Sequence, residues 1–438
     1  MFVSMKIKNF RSIIETSVSM TYEEGKAPNG YKKMQRWAFL EDNGKRLVPC
    51  LAVYGANAGG KSNIIKAFVA FERLLRFGTG DASLKNGLPP VFDPNRLISH
   101  NETSYFESKI VLNGLIYVYG VEYSEKKIVR EFLNEGREED CVQPIFEIRD
   151  SELVCFSKVS SDTYKEKDLR EFLRVECSDK NGVQNRTFLY LMGTKYPGLK
   201  KQIADVLDFY LKSVFISLNN QISAGFGMKM LEDALKNQGQ KVTAFDKLQE
   251  IIRKLDFGIE RMEINRTKLE HDAGEYKIEG ASIGVRHDGP DAFIEYLYSF
   301  HKNDEQKEVP FNFNQESMGT QIAFGVLGCI LAALENGGVV LIDELDRSLH
   351  SLVFQQIVQM FTNKRYNRKN AQLIFSAHNT DLLDADILRI SEIDFVNKTK
   401  KKGTTVQRLT EFSDVRNVTN FRKRYLSGEF DGIPFPYL

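Results

Sequence analysis

An α/β fold with a mixed sheet core, extended by an antiparallel β meander, is predicted by three features of the sequence. First, an apolar run, LVPCLAVY, leads into the glycine-rich stretch YGANAGGKSN at Tyr54–Asn63 and then into an amphipathic run, giving the order strand, loop, helix. Second, five alternating apolar and polar runs follow one another between Tyr105 and Ser157. Third, helical and strand-like runs alternate towards the end: QIAFGVLGCILAAL, VVLID, LVFQQIVQMF and AQLIFSAH.

Taken in order, FVSMKIKNF and IIETSVSM alternate with a period of two and read as strands with one face in the core. LVPCLAVY is continuously apolar, as in a strand buried on both faces. After the glycine loop, Ile64, Ile65, Phe68, Phe71, Leu74 and Leu75 fall on one stripe of a helix. A polar, proline-bearing stretch from Gly78 to Glu102 precedes YFESKIVL, LIYVYGVEYS, KIVREFL, PIFEIRD and ELVCFS. Short turns such as Asn113-Gly114 make these runs an antiparallel meander. From about Thr163 to Lys254 the period becomes helical, as in KKQIADVLDFYLKSVF and AFDKLQEIIRKLDFGI, with breaks at KYPG and KNQGQK. No apolar heptad persists, which argues against a long coiled-coil arm. IERMEINRT and AFIEYLYSF are strand-like again. This pattern divides the chain into an N-terminal lobe over 1–160, a helical insertion over 161–258 and a C-terminal lobe over 259–438. There is no internal repeat, and the only low-complexity tract is the basic turn KTKKKG at Lys398–Gly403.

A chain of 438 residues, 42% hydrophobic and 27% charged, can bury a large core or two to three domains. Its 60 Lys and Arg balance 59 Asp and Glu, so no global field draws it to nucleic acid or an anionic membrane. Cys50, Cys141, Cys155, Cys177 and Cys329 form no CxxC pair and have no histidine at ligand spacing, which predicts reduced, mostly buried thiols in a cytoplasmic protein. The start, MFVSMKIKNFRS, lacks the apolar core of a signal peptide. Ile322–Leu334, the longest uncharged apolar stretch, is too short to span a bilayer and reads as a buried helix, so no membrane partner is expected.

Four stretches carry chemistry. GANAGGKS at Gly55–Ser62 fits G-x-x-x-x-G-K-S, a match that arises by chance in roughly 1–2% of chains of this length. Small residues (Gly55, Ala56, Asn57, Ala58, Gly59, Gly60) let consecutive backbone N–H groups face a polyphosphate, and the following helix, entered through Asn63, offers its positive end. Lys61 reaches the outer phosphates and Ser62 can bind Mg2+. In VVLIDELD, four apolar strand formers end in Asp343 and Glu344, at the sheet edge where α/β folds bind ligands. Asp343 would hold the magnesium shell and Glu344 would polarise the attacking water, although an acidic pair can equally well just solvate a strand end. In NQESMGTQ, Ser317 and Gly319 open the uncharged helix as an anion-ready N-terminus or, more plainly, as a helix cap. In LIFSAHNTDLL, His378 follows an apolar strand and could contact a terminal phosphate or order the water, or serve only as a satisfied polar residue.

The order of these stretches follows the arrangement of ABC-type ATPases: Walker A, signature, Walker B, D-loop and switch histidine. With IKNFRS, YGANAGGKSN, ESMGTQ, DELDRSLH, AQLIFSAHNTDLLD and YLSGEFDGIPF, the chain resembles the stand-alone ABC-type, AAA-labelled ATPases of bacterial anti-phage defence islands, which include RloA, abortive-infection and Septu PtuA-like proteins. Most of these relatives have ASGKS where this chain has AGGKS at Ala58–Ser62. The resemblance implies an ABC-type P-loop ATPase head with a helical insertion between Walker A and signature. It implies two heads stacked head to tail, or a higher even oligomer, so that Ser317 and Gly319 act in trans, Asp346 of the D-loop couples the two sites, and Arg11 approaches the phosphates. No Q-loop glutamine can be placed. OLD-type relatives carry a nuclease after the head, whereas no acidic cluster of that kind follows His378 here. The expected effector is therefore a separate polypeptide, a nuclease of HNH or TOPRIM type, with DNA or a phage protein as trigger. The alternative is a DNA-binding repair ATPase similar to RecF and SMC-like heads. The distance between loop and signature argues against a transporter subunit.

Overall fold

The structure is a computed structural model. It describes residues 1–23, 40–42, 45–79, 90–97, 102–138, 142–157, 166–216, 223–236, 243–255, 258–268, 282–288, 291–346, 349–384, 387–399, 401–413, 415, 420–430 and 432–433. Cys141 lies outside these residues; the other four cysteines are free thiols, three of them buried. The chain forms two compact units. One comprises Met1–Asn220, Gly337–Leu345 and Val358–Leu438, the other Gln221–Asn336 and Asp346–Ile357. The stretch read as a helical insertion contributes α2–α4 to the first unit and α5 and α6 to the second, with ranges given below.

The first unit is built on a sheet of thirteen described strands. Its antiparallel part begins with β1 (Phe2–Phe10) and β2 (Ile13–Ser19), whose burial alternates as the sequence pattern requires. The meander continues from β1 through β6 (Ser104–Leu112), β7 (Leu115–Tyr123), β8 (Ile128–Gly136), β9 (Gln143–Arg149) and β10 (Glu152–Phe156). Asn113 and Gly114 both have positive φ, 53° and 78°, which gives β6 and β7 the tight turn that matches strand twist. A small separate pair, β3 (Leu40–Asp42) and β4 (Lys45–Leu47), precedes β5.

The parallel part places β5 (Cys50–Gly55) between β18 (Ile393–Thr399) and β17 (Gln372–Ser376). Beyond β17 come β16 (Val339–Ile342) and β11 (Val214–Ile216). All residues of β5, β16 and β17 are buried, as continuous apolar strands between layers must be. β19 (Gly403–Arg408) turns back antiparallel on β18 and joins the two halves of the sheet at β2. Helix α1 (Lys61–Phe77) packs its apolar stripe into this core, where Phe71 meets Phe106, Tyr119 and Tyr210 at centroid distances of 5.3–6.1 Å. The same unit holds α2 (Glu166–Phe172), α3 (Phe188–Lys195), α4 (Lys201–Lys212) and α9 (Phe421–Leu426). One expectation is corrected: the helical run KKQIADVLDFYLKSVF stops at Lys212. Ser213 turns its hydroxyl back to the Phe209 carbonyl at 2.9 Å, and the β-forming residues after it pair with β16 instead.

The second unit pairs α5 (Ala224–Lys236) and α6 (Ala244–Lys254) with α7 (Met318–Asn336), beside an antiparallel sheet of β12 (Arg261–Lys268), β13 (Ser282–Asp288), β14 (Asp291–Lys302) and β15 (Glu308–Asn312). The uncharged stretch Ile322–Leu334 is the centre of α7, which at 19 residues is longer than the sequence run suggests and long and apolar enough by composition to cross a membrane. Thirteen of its residues are buried, as in a core helix. Helix α8 (Ser351–Thr362) begins in the second unit and ends in the first.

Candidate functional site

The phosphate loop leaves β5 at Gly55 and enters α1 through Gly60, whose φ of 112° is a left-handed conformation that a side chain disfavours. A Cβ at Gly60 would also overlap the Thr404 side chain. Lys61 is buried, and its ammonium donates to the carbonyls of Gly55 at 2.6 Å and Ala56 at 3.3 Å, the residues that open the loop. No acidic residue stands in the first turn of α1, so the positive end of the helix is left for a ligand. Behind the loop, Tyr54 packs with Phe395 and Tyr425, and Gly432 lies close against Gly55 and Ala56. Tyr425 and Gly432 thus back the loop.

Asp343 and Glu344 follow β16 directly. Asp343 is buried, and its Oδ1 accepts a hydrogen bond from the Ser376 hydroxyl at 2.5 Å. The same hydroxyl accepts the Glu344 N–H at 2.8 Å. Glu344 has φ of 50°, an uncommon conformation for a glutamate and one that recurs at functional sites. His378 follows β17, and its Nε2 stands 3.7 Å from Glu344 Oε1. Ala56, Asn57, Ala58, Gly60, Lys61, Ser62, Asn63, Glu344, His378 and Lys398 line one open cleft of about 740 Å3, a size that suits a nucleotide.

The fold therefore brings Walker A, Walker B and the histidine of the sequence reading onto one cleft within the first unit. Gly59 and Gly55 shape the loop from below, with a Cβ at Gly59 meeting the Ala56 and Val396 carbonyls at 3.0 and 3.2 Å. Asn63 donates to Ser12 Oγ at 2.5 Å. Arg11, in the turn between β1 and β2, is paired with Asp93 at 3.1 Å and does not line the cleft. Ser317, Gly319 and Asp346 belong to the second unit. Ser317 is exposed and caps α7, its Oγ accepting the Thr320 N–H at 3.1 Å. Gly319 and Asp346 are half-buried.

Three contributors escaped the sequence reading. Ser376 holds both acidic residues in place, and its signal was the serine of FSAH. Glu316 anchors the stretch before Ser317: its carboxylate Oε1 meets His301 Nε2 at 2.5 Å, while His301 Nδ1 faces the Gly258 carbonyl at 2.9 Å. Lys398 reaches the cleft from β18, a strand the sequence pattern did not single out. The donors near the cleft, a buried carboxylate and a hydroxyl at Ser62, are hard oxygen groups of the kind that bind magnesium alongside phosphate oxygens.

A family profile described as "AAA domain, putative AbiEii toxin, Type IV TA system" matches residues 50–169 and 194–384. No curated protein matches the chain significantly. Among solved structures, an SMC head bound to the C-winged helix domain of ScpA aligns at 13% identity over 93% of this chain and 96% of that one, with a TM-score of 0.38. An SMC head domain from Thermotoga maritima aligns at 12% identity over 93% and 98%, with a TM-score of 0.36.

Proposed function

The chain belongs to this AAA domain family, whose description names the AbiEii toxin of type IV TA systems, and we propose that it is an ABC-type P-loop ATPase head that binds and hydrolyses ATP and uses the nucleotide to control a separate effector. The observation that carries the proposal is the convergence of Lys61, Ser62, Glu344 and His378 on one cleft. Lys61 exchanges its hold on the loop carbonyls for the phosphates, and the loop N–H groups with the end of α1 share their charge. Ser62 and Asp343 would hold Mg2+, which when bound neutralises charge on the phosphates. Glu344 takes a proton from the water that attacks the terminal phosphorus as the bond to the bridging oxygen breaks, and His378, whose Nε2 is 3.7 Å from Glu344 Oε1, would hold that phosphate.

In this reading two copies stack head to tail, or form a higher even oligomer, and Ser317 and Gly319 of one complete the site of the other. The exposed cap at Ser317 supports an intermolecular role. Asp346 couples the two sites. The setting is a cytoplasmic anti-phage defence system of the RloA, abortive-infection or PtuA kind, with an HNH or TOPRIM nuclease as effector and DNA or a phage protein as trigger. Measured with purified protein, Lys61→Ala is expected to lose ATP binding. Glu344→Gln is expected to keep binding, lose about 100-fold or more in turnover and accumulate as a dimer with ATP. Turnover unchanged in Glu344→Gln would reject the assigned base.

A further inference from the structure

We infer that Lys398 is a second phosphate-binding cation of the cleft, an inference that rests on the ATP reading above. Lys398 begins the basic tract KTKKKG, which the sequence presents as a short basic turn. The residue is exposed, and the sheet sets it beside the phosphate loop. β18 runs parallel to β5 with Val396 opposite Gly55, the first residue of the phosphate loop, so Asn397 and Lys398 continue past the end of β5 alongside that loop. Lys398 pairs across the hairpin with Thr404 of β19. Cross-strand partners share a face of the sheet, and the face here is set by Thr404. Thr404 Oγ1 bonds the Gly59 carbonyl at 3.3 Å and Ser12 Oγ at 2.7 Å, while the Thr404 N–H donates to the Ser12 carbonyl at 2.8 Å. The close approach of Thr404 to Gly60 completes the attachment. The hairpin and the phosphate loop are thus one fastened piece, and Lys398 projects from it into the cleft that holds Lys61, Glu344 and His378.

Charge gives this position its meaning. Magnesium-bound ATP remains a net anion and would sit beside two carboxylates, Asp343 and Glu344. Among the described residues that line the cleft, Lys61 is otherwise the one lysine or arginine; Lys398 supplies the second cation. Its ammonium makes no ion pair among the described residues, so it reaches the phosphates without giving up a partner.

The test is equilibrium binding of Mg·ATP to the full chain, with nucleotide-free melting as a check on folding. Lys398→Ala is expected to bind roughly tenfold more weakly and with less dependence on salt, while melting as the wild type does. Lys398→Arg restores affinity to within about threefold. Lys402→Ala, an exposed lysine of the same turn, leaves affinity unchanged. Wild-type affinity in Lys398→Ala beside lost binding in Lys61→Ala overturns the inference and leaves the ATP reading standing. Equal weakening by Lys402→Ala also overturns it, since the effect would then be a diffuse field. A wild-type chain with no affinity for Mg·ATP overturns both.

Discussion

Replacing Ser376 by alanine removes one hydroxyl that orders both acidic residues of the cleft. That hydroxyl is fully buried; it donates to Asp343 Oδ1 at 2.5 Å and accepts the Glu344 N–H at 2.8 Å. Alanine leaves a buried carboxylate without its donor and an amide without its acceptor. A lost bond to a buried carboxylate and a part-buried amide left without its acceptor together cost about 3 kcal/mol. For a unit of roughly 300 residues, with an unfolding entropy of about 2.1 cal/mol/K per residue, this lowers the melting temperature by about 5 °C. The functional effect is larger. Asp343 is the residue assigned to magnesium, and loss of a group that orients a metal ligand typically costs about 10- to 100-fold in metal affinity or activity. Thermal melting and ATP turnover across a magnesium titration measure the two effects. Wild-type melting together with wild-type magnesium dependence in Ser376→Ala would refute the assignment of Asp343 and the geometry built on it.

Two other perturbations test the scaffold. Glu131 of β8 is buried, and burial pushes its carboxyl up to about 7 although Tyr119, Gln184 and the N–H groups of Phe188 and Leu189 all donate to it. The folded chain therefore holds this proton at pH values where the unfolded chain has released it, so its contribution to stability falls as pH rises from about 4.5 to about 7. Glu131→Gln, followed by melting across that range, is expected to lack this slope whatever its absolute stability; a slope equal to the wild type's would contradict the assignment. Gly60→Ala forces a side chain into a left-handed position already filled by Thr404 and is expected to cost about 1–3 kcal/mol and weaken ATP binding. Unaltered melting and binding would show that the loop relaxes freely.

Local patterns were legible where one face or both faces of an element are buried along a continuous run. The alternation of β1 and β2, the apolar β5, the stripe of α1 and the Asn113-Gly114 turn all follow from residues within a few positions of one another. The phosphate loop and the acidic pair were legible for the same reason, since each is a short contiguous motif. What stayed hidden was pairing between distant segments. Nothing in IDFVNKT states that it lies beside β5, some 340 residues earlier, so Lys398 read only as the start of a basic turn. Ser376 bonds across two parallel strands, and a serine in an apolar run carries no sign of its partners. β11 was read as helix because the amphipathic period of α4 runs into it, and its pairing with β16 is set by the sheet.

The central claim, a cleft completed by a second copy, is tested most directly by mixing two inactive variants. Ser317→Arg blocks the cap offered to a partner but keeps its own phosphate loop, while Lys61→Ala loses its loop but keeps its cap. ATP turnover of the mixture, measured against each variant alone at the same total concentration, is predicted to recover because one intact composite site forms in each mixed dimer. No recovery, with both variants folded and the Ser317→Arg chain still binding ATP, would contradict the account.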